Sequence, residues 1–341
     1  MKRMVRAAAL TNYFEVATQL ALNPSQMLAQ VGLSRALLAD PDDRIPAGAV
    51  VTLLEESAQA AQCPTFGLRM AESRQLSDLG AVSLLLTHKR TLREVLLAMI
   101  NYRHLMNEAL ALQVEDVGEN VIIREEVVTD ASTHSRQATE LALGVLSRAA
   151  GALLGNHWKP HRVLFSHAAP PDLQLHRRIF KCKLVFDSEY NGFVCAAADL
   201  DYPSSAANPA LARYAEQLLQ SLPKAQDRST GMEVREAIHV LLPMGRATVE
   251  QIAQKLGVNV RTLQRQLEDE GQTFSELINS VRRELAIRYV RSGQHSLGHV
   301  AELLGYSTQT SFTRWFKAEF GVAPTQWQPD STQAPDTAAD N

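Results

Sequence analysis

The sequence predicts an α+β N-terminal domain, helices with a small antiparallel sheet, followed by an all-α domain with two helix-turn-helix units. Three observations carry that reading. Between Ala247 and Trp327 a cap, a helix, a glycine turn, a second cap and a second helix occur twice. Leu110 to Val117 and Asn120 to Val128 are strand-length runs flanking Gly118, the pattern of a hairpin. The first hundred residues fall into helix-length amphipathic segments separated by turn residues.

Taken in order, AALTNYFEVATQLAL, PSQMLAQVG, AGAVVTLLEESAQAA, LGAVSLLLTHK and TLREVLLAMINYRHLM read as helices. Asn23-Pro24, Gly32, Pro41-Asp42, Pro46 and Cys63-Pro64 break them. After the hairpin, SRQATELALGVLSRAAGALLG is another amphipathic helix. RVLFSHA and KLVFDSEYNGFVCAA then suggest two or three more strands, with a short helix near LQLHRRIF between them. Residues 204–231 hold a helical piece and a polar, Pro-punctuated linker. The tail from Pro329 to Asn341, rich in Ala, Thr, Asp and Pro, is expected to be disordered.

The C-terminal repeat is the most informative stretch. In TVEQIAQKLGVNVRTLQRQLEDEG, Thr248 and Gln251 have capping-box spacing, and Gly257 stands where a helix ends in a left-handed turn. Asn259 is placed to cap the next helix, whose Leu263 and Leu267 face inward. Arg261, Thr262, Gln264 and Arg265 are left outward, as on a recognition helix built for the major groove. In SLGHVAELLGYSTQTSFTRWFKAEFG, Ser296 is the first cap, Gly305 the turn and Ser307 the expected second cap. Phe312 and Phe316 point inward, leaving Thr308, Gln309, Thr310, Arg314 and Lys317 exposed. Between the units, Thr273 and Glu276 open a long helix. Arg265 and Arg314 hold matching places 49 residues apart. A connecting helix of about 18 residues spans roughly 27 Å, near the roughly 34 Å between successive major grooves on one DNA face.

These residues resemble the DNA-binding domain of the AraC/XylS family of bacterial transcription regulators. LGVNVRTLQRQLEDEG, TFSELINSVRRELAIRYV and HVAELLGYSTQTSFTRWFKAEFGVAP carry the resemblance over about eighty residues. Gly298, His299 and Val260 depart from the family's usual pattern, each near a helix start and none in the outward set. A looser resemblance links the earlier stretch to the arabinose-binding-type effector domain of one branch of that family. It rests on the order Trp158, Pro160, Val163-Leu164-Phe165-Ser166-His167, Pro170-Pro171, Phe180-Lys181-Cys182, Phe186, Asn191-Gly192-Phe193, Leu200 and Pro203.

The resemblance implies an effector-binding and dimerisation domain over 1–205 and a linker helix and linker over 206–230. A double helix-turn-helix domain would occupy 231–328, and the disordered tail 329–341. It also implies a bacterial, effector-responsive, sequence-specific regulator, an activator, working as a homodimer on promoter DNA. RNA polymerase is a further candidate partner. A ligand-independent dimeric repressor or architectural protein is the alternative, and an enzyme fused to a DNA-binding module is a third reading.

Arg to guanine and Gln to adenine are favoured base-edge contacts, each worth about 1–3 kcal/mol of discrimination. A solvated helix face is the bland alternative for the same residues; their position directly after cap-and-turn signals favours DNA. Arg282 and Arg283 on the long helix read as surface ion-pair formers. For the effector, Tyr102, Arg103, His134 and Arg136 are the candidates, the last two because they open a long helix whose N-terminus welcomes an anion. His157, His161, His167 and His176 lie near Cys182 at irregular spacing, so no metal is expected.

Composition bounds the rest. The 341 residues, 45% hydrophobic and 21% charged, suit a two-domain globular chain. A formal net charge of −3 excludes a wholly basic protein but not a basic face. Cys63, Cys182 and Cys195 are sparse and unpaired in spacing, as in a reducing compartment. The apolar run in MKRMVRAAAL is too short for a signal peptide, and Leu141 to Leu154 is interrupted by Arg148, so a cytoplasmic protein without a membrane span is expected. No phosphate-binding glycine loop, GxSxG or HExxH occurs. No enzymatic activity and no cofactor are therefore expected.

Overall fold

The computed structural model describes residues 3–129, 135–222 and 229–327. The chain divides into two compact units, one ending at Val240 and the other beginning at Leu241.

The first unit opens with β1 (Met4–Arg6), paired antiparallel with β2 (Arg44–Pro46). Six helices occupy its first third: α1 (Tyr13–Gln19), α2 (Pro24–Gln30), α3 (Ala47–Ala60), α4 (Phe66–Ala71), α5 (Val82–His88) and α6 (Leu92–Asn101). The continuous helix expected over AALTNYFEVATQLAL is split. Residues Ala7–Leu10 form a 3-10 turn, and Asn12 adopts φ +68, which a short polar side chain tolerates, before α1 starts. At the next start Asn23 accepts a bond from the Gln26 amide, with Pro24 in the first turn.

β3 (Leu110–Val117) and β4 (Asn120–Val127) form the expected hairpin, turning through Gly118 at φ +62. They are followed by α7 (Arg136–Leu154), β5 (Arg162–Leu164), α8 (Gln174–Phe180), β6 (Lys183–Val185), β7 (Gly192–Ala196) and α9 (Ala197–Leu200). α10 (Pro209–Ser221) and α11 (Thr230–Leu241) come next. The five-stranded sheet has the order β3-β4-β7-β5-β6. Its pairs are antiparallel as expected, except that β5 and β6 run parallel. A parallel neighbour needs a crossover connection, and α8 supplies it.

α7 is the unit's central helix, with Leu143, Leu146 and Ala150 wholly or almost wholly buried. It meets α4 at backbone distance: a Cβ on Gly67 would lie 2.0 Å from the Gln137 carbonyl oxygen. The Gln137 side chain accepts the Gly67 amide at 3.0 Å, so the bare glycine is what lets the helices close. α10 belongs to this unit, since its cap Asn208 donates its amide to the His88 carbonyl. α11 does too: Arg3 reaches both the Val128 and Met232 carbonyls, and Arg103 pairs with Glu236. The division between units therefore falls ten residues beyond the 230/231 boundary read from the sequence. Residues 223–228 of the expected linker, Gln328 and the expected tail 329–341 lie outside the described residues.

The second unit is helical: a 3-10 turn at Leu242–Met244, then α12 (Val249–Lys255), α13 (Val260–Asp269), α14 (Phe274–Ser292), α15 (Leu297–Leu303) and α16 (Gln309–Phe320). Its core is built from Ile252, Leu263, Val281, Leu285, Val300, Phe312 and Phe316, all buried. No helix among the described residues is long and apolar enough to cross a membrane.

Candidate nucleic-acid interface and ligand cavity

Local chemistry starts each helix of the second unit. Thr248 and Gln251 exchange side-chain to backbone bonds at 3.3 Å each. Thr273 and Glu276 do the same at 2.8 and 3.2 Å. Asn259 accepts the Thr262 amide at 2.8 Å, and Ser296 accepts the His299 amide at 3.2 Å despite Gly298 in that turn. Such a cap satisfies an otherwise orphaned amide and contributes about 1 kcal/mol.

The two helix-turn-helix units superpose in sequence with one inserted residue. Thr248, Ile252, Ala253, Leu256 and Gly257 match Ser296, Val300, Ala301, Leu304 and Gly305 at a spacing of 48; Leu263, Arg265 and Leu267 match Phe312, Arg314 and Phe316 at 49. The extra residue lies in the second turn, and it displaces the cap from the expected Ser307 to Thr308, whose hydroxyl accepts the Ser311 amide at 3.1 Å. Thr308 is therefore held in a cap, with its hydroxyl also 2.9 Å from that of Ser311.

Arg261, Gln264 and Arg265 on α13 are exposed, as are Thr308, Gln309, Thr310, Arg314 and Lys317 at and along α16; Thr262 is half-buried. At about 100° per residue, Arg261 lies within roughly 40° of Arg265, and Thr310 and Lys317 within roughly 60° of Arg314. Each cluster stands opposite its buried pair, Leu263 and Leu267 or Phe312 and Phe316. Gln309 is about 140° from Arg314 on the same count, and its Oε1 leans toward Gly298 of α15. Residues 241–327 carry ten Lys and Arg against eight Asp and Glu, so this unit is net positive while the whole chain is net negative.

Arg282 and Arg283 brace the second unit. Arg282 Nε donates to the Leu304 carbonyl at 3.0 Å, closing the end of α15, and its guanidinium lies 4.8 Å from the Tyr306 ring centre. Arg283 pairs with Glu319, joining α14 to α16. On the buried side of α16, the Phe316 and Phe320 rings lie 4.3 Å apart in a tilted arrangement, and Phe316 meets Trp327 edge-on at 6.0 Å.

The first unit holds a cavity of about 140 Å³ between β1, α3, α6, β3, β4 and α7. Most of its wall is aliphatic. The charged side chains in the wall are Arg6, Arg74, Asp78, Arg103 and Glu125. Arg6 is bound to Asp42 and to the Asp78 carbonyl. Arg74 donates to the Ala8 carbonyl and stands 3.9 Å from Asp78; burial lowers its pKa to about 10. Glu125 is 2% exposed, and its Oε2 has no hydrogen-bond partner. Burial first, and neighbouring Glu126 second, push its carboxyl up to about 8.

Of the four sequence-derived effector candidates, Arg103 lines this cavity. Tyr102 faces α10, where Gln220 hydrogen-bonds it. Arg136 binds Glu140 at 3.2 Å, in a polar cluster where wholly buried Glu140 also lies 3.3 Å from both His167 and His176. Nearby Glu55 accepts the Gln137 amide and is raised to about 7, chiefly by burial. His134 lies outside the described residues. Among the described residues no group of three His, Cys, Asp or Glu side chains is placed to hold a metal ion.

Glu125 and Arg74 are not among the residues expected from sequence. A signal for Glu125 was present: Val121, Ile123, Glu125 and Val127 share the inward phase of β4, and a carboxylate there is out of place. Arg74 sits in a loop whose neighbours come from distant segments, and no spacing announces it.

Residues 22–204 match the family described as the arabinose-binding domain of AraC transcription regulators, N-terminal, and residues 252–329 match a helix-turn-helix domain family. The chain is 29% identical over 327 residues to the HTH-type transcriptional regulator VirS of Mycobacterium tuberculosis (strain CDC 1551 / Oshkosh), covering 95% of this chain and 96% of that one. It is 25% identical over 266 residues to the ornithine utilization regulator of Pseudomonas aeruginosa, covering 78% of each. Among solved structures, the transcriptional regulator CdpR from Pseudomonas aeruginosa aligns over 92% of this chain and 96% of its own, with 20% identity and a TM-score of 0.44.

Proposed function

The chain belongs to the AraC family of transcription regulators and is a sequence-specific DNA-binding regulator with an arabinose-binding-type N-terminal domain; from that premise we propose that it is an effector-responsive activator whose monomer reads two adjacent major grooves. The reading rests above all on the matched pair Arg265 and Arg314, both exposed, each six residues past its helix cap in the same cap-and-turn arrangement. Arg261, Gln264 and Thr262 join the first contact set; Thr310 and Lys317 join the second, while Gln309 lies off that face toward α15. Thr308 contributes as a cap. α14, 19 residues and about 28 Å long, separates the two sets by a length comparable to the roughly 34 Å groove repeat.

Effector response is supported by the chemistry around Arg103. This side chain lines the cavity and pairs with Glu236 on α11, the helix whose last residue opens the DNA-binding unit. A ligand that changes the Arg103–Glu236 pair changes the free energy of α11, and a ligand favouring one state shifts the equilibrium only by its differential affinity. Dimerisation is supported by α10, which leaves Leu211, Tyr214 and Leu218 exposed at spacings of three and four, as a helix-helix seam requires. No catalytic role is proposed: burial raises the Cys182 and Cys195 thiols to about 11 and about 12, away from the reactive thiolate.

Selection of bound duplexes from a random pool tests the groove assignment. The recovered sequences are expected to share two conserved blocks centred about one helical turn, roughly 10 base pairs, apart. A single conserved block per monomer refutes it.

A further inference from the structure

The cavity carries a chemical specification that the family assignment does not contain. Its walls are aliphatic, contributed by side chains such as Val51, Leu54, Leu112 and Leu141. Its volume of about 140 Å³ is close to the roughly 150 Å³ of an apolar cavity that holds one benzene. A body of about six carbons therefore fills it.

The polar part of the wall is asymmetric. Arg6, Arg103 and Arg74 stand beside Asp42, Glu236 and Asp78 respectively, so these cations already have anions. Glu125 is the opposite case: its Oε2 is buried without a hydrogen-bond partner, and the charge acting on it is the negative one of Glu126. An unsatisfied buried polar group is costly, so a bound group that supplies the missing partner is favoured there. A cation with N–H donors supplies the missing bond and offsets the repulsion from Glu126 that ionisation of Glu125 brings.

Taking the effector reading above as its basis, we propose that this cavity binds a small organic amine, with the ammonium against Glu125 and about six carbons of hydrocarbon against the aliphatic walls. Arg74 Nε, also buried without an acceptor, would take an oxygen elsewhere on the ligand.

Glu125 is largely protonated at neutral pH in the empty cavity, because burial and Glu126 hold its carboxyl at about 8. Binding of an ammonium ion then drives one proton from the Glu125 carboxyl to the buffer, and the carboxylate forms the ion pair. The charged groups sharing the cavity, Arg6, Arg74, Asp78 and Arg103, are paired or bound to backbone carbonyls, so the released proton is assigned to Glu125.

Calorimetric titration of the full chain with n-hexylamine, 1-hexanol and hexanoate, in buffers of different ionisation enthalpy, reads this directly. The expected result is preferential binding of hexylamine with close to one proton released at pH 7. Affinity should rise close to tenfold per unit between pH 6 and 7 and level off above about 8. Glu125→Gln should erase the preference of amine over alcohol while leaving hexanol binding intact. Equal binding of alcohol and amine, tighter binding of hexanoate, or amine binding without proton release overturns the inference. DNA affinity measured in parallel separates it from the effector reading. Amine binding with unchanged DNA affinity refutes only the latter; a DNA response to some other metabolite, with hexylamine unbound, refutes only the amine.

Discussion

Arg103 is the side chain through which the cavity and α11 meet, and its removal has a calculable consequence. Replacing it with Met leaves the Glu236 carboxylate, whose side chain is 7% exposed, without its guanidinium. Stranding one member of a buried pair costs about 3–5 kcal/mol. The Arg103 side chain is 20% exposed, which places the expected loss near the lower end, about 3 kcal/mol. Changing both residues, R103M with E236L, removes the stranded charge and should recover most of that loss, because well-packed apolar replacements of buried pairs are often neutral. Urea denaturation of the wild type, the two single variants and the double variant forms a cycle whose interaction energy should reach about 2 kcal/mol, above the additivity error of about 0.5 kcal/mol. The double variant should fold yet lose any effector dependence of DNA affinity. A coupling within the additivity error, or a double variant that keeps its full effector response, refutes the role assigned to this pair.

Two further outcomes follow from individual contacts. Glu125 has a folded pKa of about 8, above the usual carboxylate range, so the folded state holds its proton more tightly than the unfolded chain. Its contribution is fully present below the unfolded value and is lost as pH rises toward and through about 8; thermal unfolding should therefore show Glu125→Gln gaining on the wild type from pH 5 to 8, with no further gain above. Arg282→Met removes the bond to the Leu304 carbonyl and the contact with the Tyr306 ring. It should cost about 1–3 kcal/mol in denaturation and weaken DNA protection at the α16 half-site more than at the α13 half-site, which footprinting reads.

What could be read in the sequence was what short-range chemistry decides. Thr248 with Gln251, Thr273 with Glu276, Asn259 and Ser296 each cap the helix they were expected to cap, because a cap depends on residues three positions apart. The same logic misplaced the last cap by one residue: Ser307 is a cap-type residue next to the turn, but the extra residue in that turn moves the cap to Thr308. In the first unit the hairpin around Gly118 and the helix over Arg136–Leu154 were legible from their own periodicity. The parallel β5–β6 pair was not, since it joins segments across α8 and its strands are three residues each. Nor was the cavity, whose wall takes residues from β1, α3, α6, β3, β4 and α7. Arg103 reached it because it follows an apolar helix, whereas Tyr102, its neighbour, faces the opposite way into α10. Side-chain direction at a helix end is set by what packs there, and that is decided by distant parts of the chain.

The central claim, that one monomer seats α13 and α16 in neighbouring major grooves, is tested most directly by base-resolution footprinting of Arg265→Ala and Arg314→Ala on one selected operator. Each substitution is expected to weaken specific binding by about 1–3 kcal/mol and to relax base preference in its own half-site, the two affected positions lying about one helical turn apart. Loss over the same bases in both variants, or no change in base preference in either, contradicts the claim.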